Sequence, residues 1–395
     1  MNFDYTQEQR LLQDAIDRFL EKNYGFEQRN AIVESRAGYS PEAWEGLAGL
    51  GLLGVLVPEE QGGFGGGGVE TMLVMEAMGR HLCVEPWLAT AVMAASGVNA
   101  VGTADQKGYL LPRIADGSLR FACAFGEPGS RHDLHHVETT ARLDGGFWVL
   151  NGTKAVVMHG AVADLLVVSA RTAGAAADRD GISLFFVNPA EEGVGGREYP
   201  TYDGMRAAEI TLEGVQVSSD SLIGVADKGL PVLEMMVDRA LAGLCAEAVG
   251  IMQTVNRLTL DYLKTRQQFG TPIGRFQALQ HRMVDMFMYA EQARSMAMLA
   301  AMKVDDPDPL ERRRAVSAAK ELIGRTGRLV GQEAIQLHGG IGMTNELALG
   351  HYVKRLTAID TQYGDADHHR DRFAATGHAV AEPMLARPRS RWKAL

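Results

Sequence analysis

Two segments of this chain carry residue types suited to holding a phosphorylated ligand. The stretch 266–277 reads Arg-Gln-Gln-Phe-Gly-Thr-Pro-Ile-Gly-Arg-Phe-Gln and interrupts a helical apolar pattern, which resumes at Phe276. Such a break marks a helical hairpin whose turn presents Arg266, glutamines and open backbone amides. A guanidinium keeps its charge and offers a fork of donors to phosphate. The stretch 336–343 reads Gln-Leu-His-Gly-Gly-Ile-Gly-Met. It ends another helix at Gly339 and Gly340, where a flat ligand can approach the main chain closely. Taken alone, Arg266 also reads as a helix-end arginine facing the helix dipole.

Two carboxylates are candidates for proton transfer. Glu247 stands within Leu-Cys-Ala-Glu-Ala-Val-Gly, a lone acid among small apolar residues. Burial there demands a compensating partner. Asp365 follows Tyr363 and Gly364 and also reads as a turn or helix N-cap residue. Asp238 and Arg239 form a further acid–base pair earlier on the same helical stretch as Glu247. His132, His135 and His136 cluster without the spacing or partner cysteine of a metal site, so no metal is expected.

These groups must be positioned by three regions. Residues 1–118 read as helices: Thr6 and Gln9 form a capping box, and Ile16 and Leu20 lie on one apolar face. Ser40-Pro41 opens another helix. The glycine-rich run 61–68 lacks the Gly-Lys-Ser/Thr of a phosphate loop and reads as a flexible connector. Residues 119–225 change to short β-rich runs bounded by turns such as Asp144-Gly-Gly and Asn151-Gly, which predicts a small β-barrel or sandwich. Residues 226–395 return to long helices over 233–265, 276–302 and 314–338 and a last segment from Asn345, the pattern of a four-helix bundle.

At 395 residues several domains are expected, and 46% hydrophobic with 22% charged residues is ordinary for a globular enzyme. A formal net charge of −10 argues against a nucleic-acid surface. Cys83, Cys123 and Cys245 are odd in number and far apart, against a disulfide framework. Apolar runs are too short and broken to span a bilayer, and the first residues lack a signal-peptide pattern, so no membrane partner and a cytoplasmic location are expected.

The helix–β–helix order, the two segments above and the run 44–63 resemble the acyl-CoA dehydrogenases, flavoenzymes that desaturate acyl thioesters. The resemblance covers nearly the whole chain. It implies an N-terminal helical domain, a middle β-barrel and a C-terminal four-helix bundle. It also implies FAD, held by Arg266, Phe269 and Gln277 together with Gln336, Gly339 and Gly340, in a site completed by a neighbouring subunit. Glu127 and Met158 fall on barrel segments that face the flavin in the family, and Arg239 on a substrate-side helix. Departures are specific: Gly126 and Met158 replace hydroxyl-bearing residues, and Gly364 stands where common members carry the catalytic glutamate. The base is then sought at Glu247 or Asp365.

The ending 363–369 and the loop 127–133 are similar to small subunits of heteromeric members acting on pimeloyl-CoA and steroid-type thioesters. Implied partners are an acyl-CoA substrate, electron-transfer flavoprotein or a similar acceptor, and either a homo-oligomer or a hetero-tetramer. A non-catalytic subunit that completes a partner's FAD site is the alternative, and an oxidase or monooxygenase on the same fold a third. Ala240, Ala242, Gly243 and Gly364 suggest room for a bulky acyl group.

Overall fold

The computed structural model describes residues 5–377. Helix α1 (Gln7–Asn23) begins at the capping box: the Gln9 amide donates to Thr6 Oγ1 at 3.2 Å and the Thr6 amide to Gln9 Oε1 at 3.0 Å. Its buried positions Ile16 and Leu20 are one helical turn apart and face the domain core. Helix α2 (Phe26–Glu34) precedes α3 (Pro41–Gly49), where Ser40 Oγ accepts from the Ala43 amide and Pro41 takes the first helical position. Helix α4 (Gly68–His81) is buried along most of its length. A π-helical turn, Leu88–Ala94, runs into α5 (Ala95–Val101), and α6 (Ala104–Ala115) closes the domain.

The glycine-rich run is not a flexible connector. The Phe64, Gly65 and Gly66 amides donate to the carbonyls of Gly54, Val57 and Val55, and the Gly68 amide donates to Asp305 Oδ2 at 2.7 Å. Backbone packs on backbone here: a Cβ on Gly68 would lie 2.2 Å from the Ala301 carbonyl oxygen. Gly68→Ala is therefore expected to destabilise by about 1–3 kcal/mol. Gly108, exposed in α6 with nothing within 4 Å of a built Cβ, gives the opposite sign. Gly108→Ala is expected to stabilise by about 0.5–1 kcal/mol, and thermal unfolding of the two variants checks the contrast.

The middle region is one eight-stranded mixed sheet. It holds β1 (Phe121–Ala124), β2 (Thr140–Asp144), β3 (Phe147–Met158), β4 (Leu165–Arg171), β5 (Ile182–Val187), β6 (Val194–Pro200), β7 (Arg206–Ser218) and β8 (Leu222–Ile223). The order is β6-β7-β3-β2-β4-β5-β8, with β1 parallel to β4. Strand β6 is mostly exposed and carries two glycines after Val194, so it shows no apolar alternation of the kind a β-rich run presents. Strand β3 breaks register with β7 between Lys154 and Val157, a bulge that turns Val156 outward at φ +53°.

The third region holds α7 (Gly229–Thr265), α8 (Gln277–Lys303), α9 (Pro309–His338), α10 (Ala348–Thr361) and α11 (Ala366–Ala374). The expected last helix is thus two. Tyr363 at φ +57° and Gly364 at φ +113° end the first, and Asp365 caps the second by accepting from the His368 amide at 2.9 Å. One core runs through α5, α7, α8, α9 and α10 and joins the sheet through Phe121, Leu184 and Phe186. No helix among the described residues is long and apolar enough to cross a membrane.

Candidate active site

A cavity of about 890 Å³ lies between the sheet, α7 and the α10–α11 turn. Its wall includes Phe125, Gly126 and Glu127 after β1, Val156 and Met158 on β3, Tyr202 and Asp203 before β7, Leu241 on α7, and Arg355, Tyr363 and His369. Val156 is 61% exposed on the β3 bulge, and the Ala155 amide beside it donates to the Gly126 carbonyl at 2.8 Å. The bulge leaves Ala155 and Val156 without register partners on β7. Main chain therefore lines the wall where the family's hydroxyls are replaced by Gly126 and Met158.

Glu127 is buried and fully engaged. Its Oε1 accepts from Lys154 Nζ at 2.6 Å and the Thr139 amide at 3.1 Å, and its Oε2 from the Glu138 amide at 2.6 Å. Burial works against the Glu127 charge, yet Lys154 and these donors prevail and hold its pKa below the usual carboxylate range. Burial brings the Lys154 ammonium down to about 8 against the pull of Glu127. The pair anchors the 127–139 loop and aims no free group at the cavity.

Glu247 is a buried anion with both oxygens taken. Arg355 Nε donates to its Oε1 at 2.6 Å and Nη2 to its Oε2 at 2.8 Å, a bidentate fork, while Nη1 reaches Asp203 Oδ2 at 2.8 Å. Burial opposes the Arg355 charge, but two carboxylates more than offset it and its pKa is raised. Sequence analysis did not single out Arg355. Its signal was a lone arginine on the face it shares with Tyr352, Leu356 and Ile359, all buried.

Asp365 differs: the His368 amide donates to Oδ1 at 2.9 Å, the Asp367 amide also stands against the carboxylate, and no side chain among the described residues is hydrogen-bonded to it. The His368 amide, with His132 and His368 nearby, holds its pKa below the usual carboxylate range. Asp365 itself is not in the cavity wall, which takes Tyr363 before it and His368 and His369 after it. Gly364 is indispensable to this turn, since a Cβ there would meet His368 Cδ2 at 2.5 Å and His369 Nε2 at 2.8 Å. Lys320 Nζ pins the turn by donating to the carbonyls of Asp360 and Gly364 at 2.9 and 2.6 Å. The two histidines thus fill the volume a larger residue 364 would need.

Arg239 lies elsewhere. Its Nη1 pairs with Asp305 Oδ1 at 2.7 Å, locking the turn that caps α4, and it does not line the cavity. Asp238, beside it, is buried between Arg312 and Arg372. Gly243 leaves no slot either: a Cβ there would sit 3.2 Å from Leu88 and 3.3 Å from Met75, so its smallness serves helix packing. Among the described residues no group of three or more His, Cys, Asp or Glu converges as a metal site.

The phosphate-type elements are brought together, away from this cavity. After α7, Gln267–Gln268 and Thr271–Pro272 pair as a two-residue hairpin with Phe269 at φ +52° and Gly270 at φ +76°. Tyr262 at the end of α7 stacks on His338 at the end of α9, ring centroids 4.4 Å apart, joining the hairpin to the glycine corner. Arg266, Gln277, Gln336, Gly339 and Gly340 are each exposed or half-buried, and Phe269 is 92% exposed. A Cβ built on Gly339 or Gly340 meets nothing within 4 Å, so the corner is open. A non-glycine residue held at positive φ with its aromatic ring in solvent is costly for a free surface. A guanidinium, two amide side chains and exposed main chain suit a diphosphate-linked nucleotide.

Comparison with known proteins agrees along the chain. Residues 6–118 match the acyl-CoA dehydrogenase N-terminal domain, 122–215 its middle domain and 227–377 its C-terminal domain. The probable acyl-CoA dehydrogenase YngJ of Bacillus subtilis (strain 168) is 29% identical over 378 residues, covering 94% of this chain and 98% of that protein. Among solved structures, a variant of the Tcur3481-Tcur3483 steroid ACAD superposes with a TM-score of 0.84 at 31% identity, covering 94% of this chain and 97% of that one. PigA with FAD and proline gives a TM-score of 0.87 at 26% identity over 95% of this chain and 98% of its own. With three consecutive domains matched along nearly the whole of its length, this chain belongs to the acyl-CoA dehydrogenase family.

Proposed function

We propose that the protein catalyses FAD-dependent α,β-dehydrogenation of an acyl-CoA thioester, within an oligomer that shares each flavin between chains. One observation carries this reading. The chain presents two half-sites in different places, a cavity walled by Phe125, Val156 and Tyr363 and an exposed corner of Arg266, Phe269, Gln336 and Gly339. Two copies, or this chain and a homologue, bring one half-site to the other. The apolar face of α8, with Val284, Phe287 and Met288 about half exposed at helical spacing, offers contact area for such a neighbour.

When bound, FAD supplies a hydride acceptor at N5 for the β-hydrogen. Arg266 and Gln336 would hold its diphosphate and nucleotide end, Gly339 and Gly340 would admit it to the main chain, and the β3 bulge would support its ring system. Asp365, a carboxylate met only by backbone amides of its own helix start and by no cation side chain, takes the α-proton. Glu247, the other sequence candidate, would first have to release Arg355. Electron-transfer flavoprotein or a similar acceptor would be the partner that takes up the reducing equivalents.

A second reading rests on its own observation. The buried carboxylates of the cavity wall, Glu127 and Asp203, are each matched to a cation, and the resemblance puts Gly364 where common members carry their glutamate. That favours a chain completing a partner's flavin site. The deciding experiment purifies the chain alone and with a co-expressed homologue, then adds acyl-CoAs anaerobically. Yellow protein bleached by a thioester supports catalysis, and colour or activity that appears only with the homologue supports the subunit reading. No flavin in either preparation refutes both. Arg266→Ala is expected to weaken flavin retention about tenfold to a hundredfold, the share of a charge-assisted hydrogen bond, read by flavin release on dilution.

A further inference from the structure

Behind the main cavity lies a second of about 40 Å³, and Met158, Arg355, Gln362 and Tyr363 belong to both walls. Its lining is mostly sulfur and aromatic carbon: Met75, Met78, Cys83, Trp87 and Met205. Two polar residues in that lining have hydrogen-bonding capacity to spare. Glu85 is 5% exposed; its Oε1 accepts from Tyr24 Oη and the Ser40 amide, both at 3.1 Å, whereas Oε2 is buried without a partner. His159 is 7% exposed at φ +58°, and its ring makes no hydrogen bond among the described residues.

Burial pushes the Glu85 carboxyl up to about 8 and the His159 imidazole down to about 4, so both are uncharged near neutral pH. With Oε1 occupied as an acceptor, the Glu85 proton belongs on Oε2, which makes it a donor. His159 brings one donor and one acceptor. Arg355, the cation in the same wall, has spent Nε, Nη1 and Nη2 on Glu247 and Asp203. A carboxylate end group would meet the Glu247 charge and no unengaged cation. A plain methyl end would leave the Glu85 hydroxyl unpaired.

We propose that this small cavity is a subsite for one uncharged oxygen, keto or hydroxyl, on the buried end of the acyl group, read by Glu85 and His159. The inference rests on the dehydrogenation reading and narrows its substrate class. A keto oxygen accepts from Glu85, and a hydroxyl can in addition donate to His159. Without substrate the volume suffices for water, which such an oxygen displaces.

The test uses the enzyme as it purifies, with its flavin and any partner chain. Straight-chain thioesters from hexanoyl-CoA to dodecanoyl-CoA are each paired with analogues bearing a keto or a hydroxyl group on the penultimate carbon, which in this series lies beyond the reacting α and β carbons. Dye-coupled kcat/KM is measured, with flavin bleaching as a second readout. At the chain length that reaches the subsite, an oxygenated analogue is expected to exceed its plain partner by about tenfold, the share of one net hydrogen bond. Glu85→Leu brings that ratio to one or below. Glu85→Gln, which keeps an acceptor for Tyr24 and Ser40 and adds an N–H donor, retains part of it. His159→Phe erases a hydroxyl preference and spares a keto preference.

Ratios near one at every length overturn the inference, leaving a water-filled void. So does a Glu85→Leu variant that slows plain and oxygenated substrates equally, because Glu85 then serves only Tyr24 and Ser40. If neither series is oxidised nor bleaches the flavin, the dehydrogenation reading fails and this inference with it.

Discussion

Arg355→Met is expected to cost the folded chain about 3–5 kcal/mol, because it strands two buried carboxylates at once. Glu247 on α7 and Asp203 before β7 are 3% exposed each, and both depend on this guanidinium. The loss also crosses domains. Arg29 on α2 donates to the Asp203 carbonyl at 2.8 Å, so helices from both ends of the chain meet the sheet at one buried node. Chemical denaturation checks this, with Arg355→Lys as the comparison. A lysine keeps the charge but not the fork, so it can serve one carboxylate and not both, and an intermediate loss is expected. A midpoint unchanged in Arg355→Met would mean that Glu247 and Asp203 find other partners and that the node is not structural.

This network explains why the site was harder to read from sequence than the fold. Periodicity reports which face of an element is buried. It found α1, α3, α7, α8 and α9, and the caps at Thr6 and Ser40 lie where the local pattern puts them. It has nothing to report at β6, whose exposed residues carry no alternation. The hairpin turn at 266–277 and the glycine corner at 339–340 were legible because each is a contiguous motif, and only the Tyr262–His338 stack that joins them was not. Glu247 was recognised as a buried acid needing a partner, but that partner stands 108 residues away. Nothing in a single sequence links such positions. The glycine run 61–68 failed for the opposite reason: composition suggested freedom, whereas the absent side chains allow backbone to pack on backbone. Arg239 was misplaced because a charge beside a helix core reads alike whether it meets substrate or Asp305.

Asp365→Asn is expected to lower kcat by about a hundredfold to ten-thousandfold, the range for losing a positioned general base. The substitution separates chemistry from folding. Asparagine caps a helix about as well as aspartate, so the bond from the His368 amide survives and α11 keeps its start. The amide cannot take up the α-proton. Two measurements follow from that split: thermal unfolding should be nearly unchanged, and exchange of the substrate α-hydrogen with solvent deuterium should slow along with turnover. Glu247→Gln should show the reverse order, a lower unfolding midpoint from the weakened Arg355 fork and a smaller effect on turnover of the folded fraction. Because the Asp365 pKa is depressed, activity limited by its ionised form should persist to lower pH than an ordinary carboxylate would allow and fall only as protonation sets in. If Asp365→Asn keeps kcat within about threefold, well below the contribution of a general base, and Glu247→Gln abolishes exchange, the acceptor is Glu247 and Arg355 must open during the cycle. If neither variant affects exchange, the proton leaves to a group on another chain, and the cavity serves as one half of a shared site.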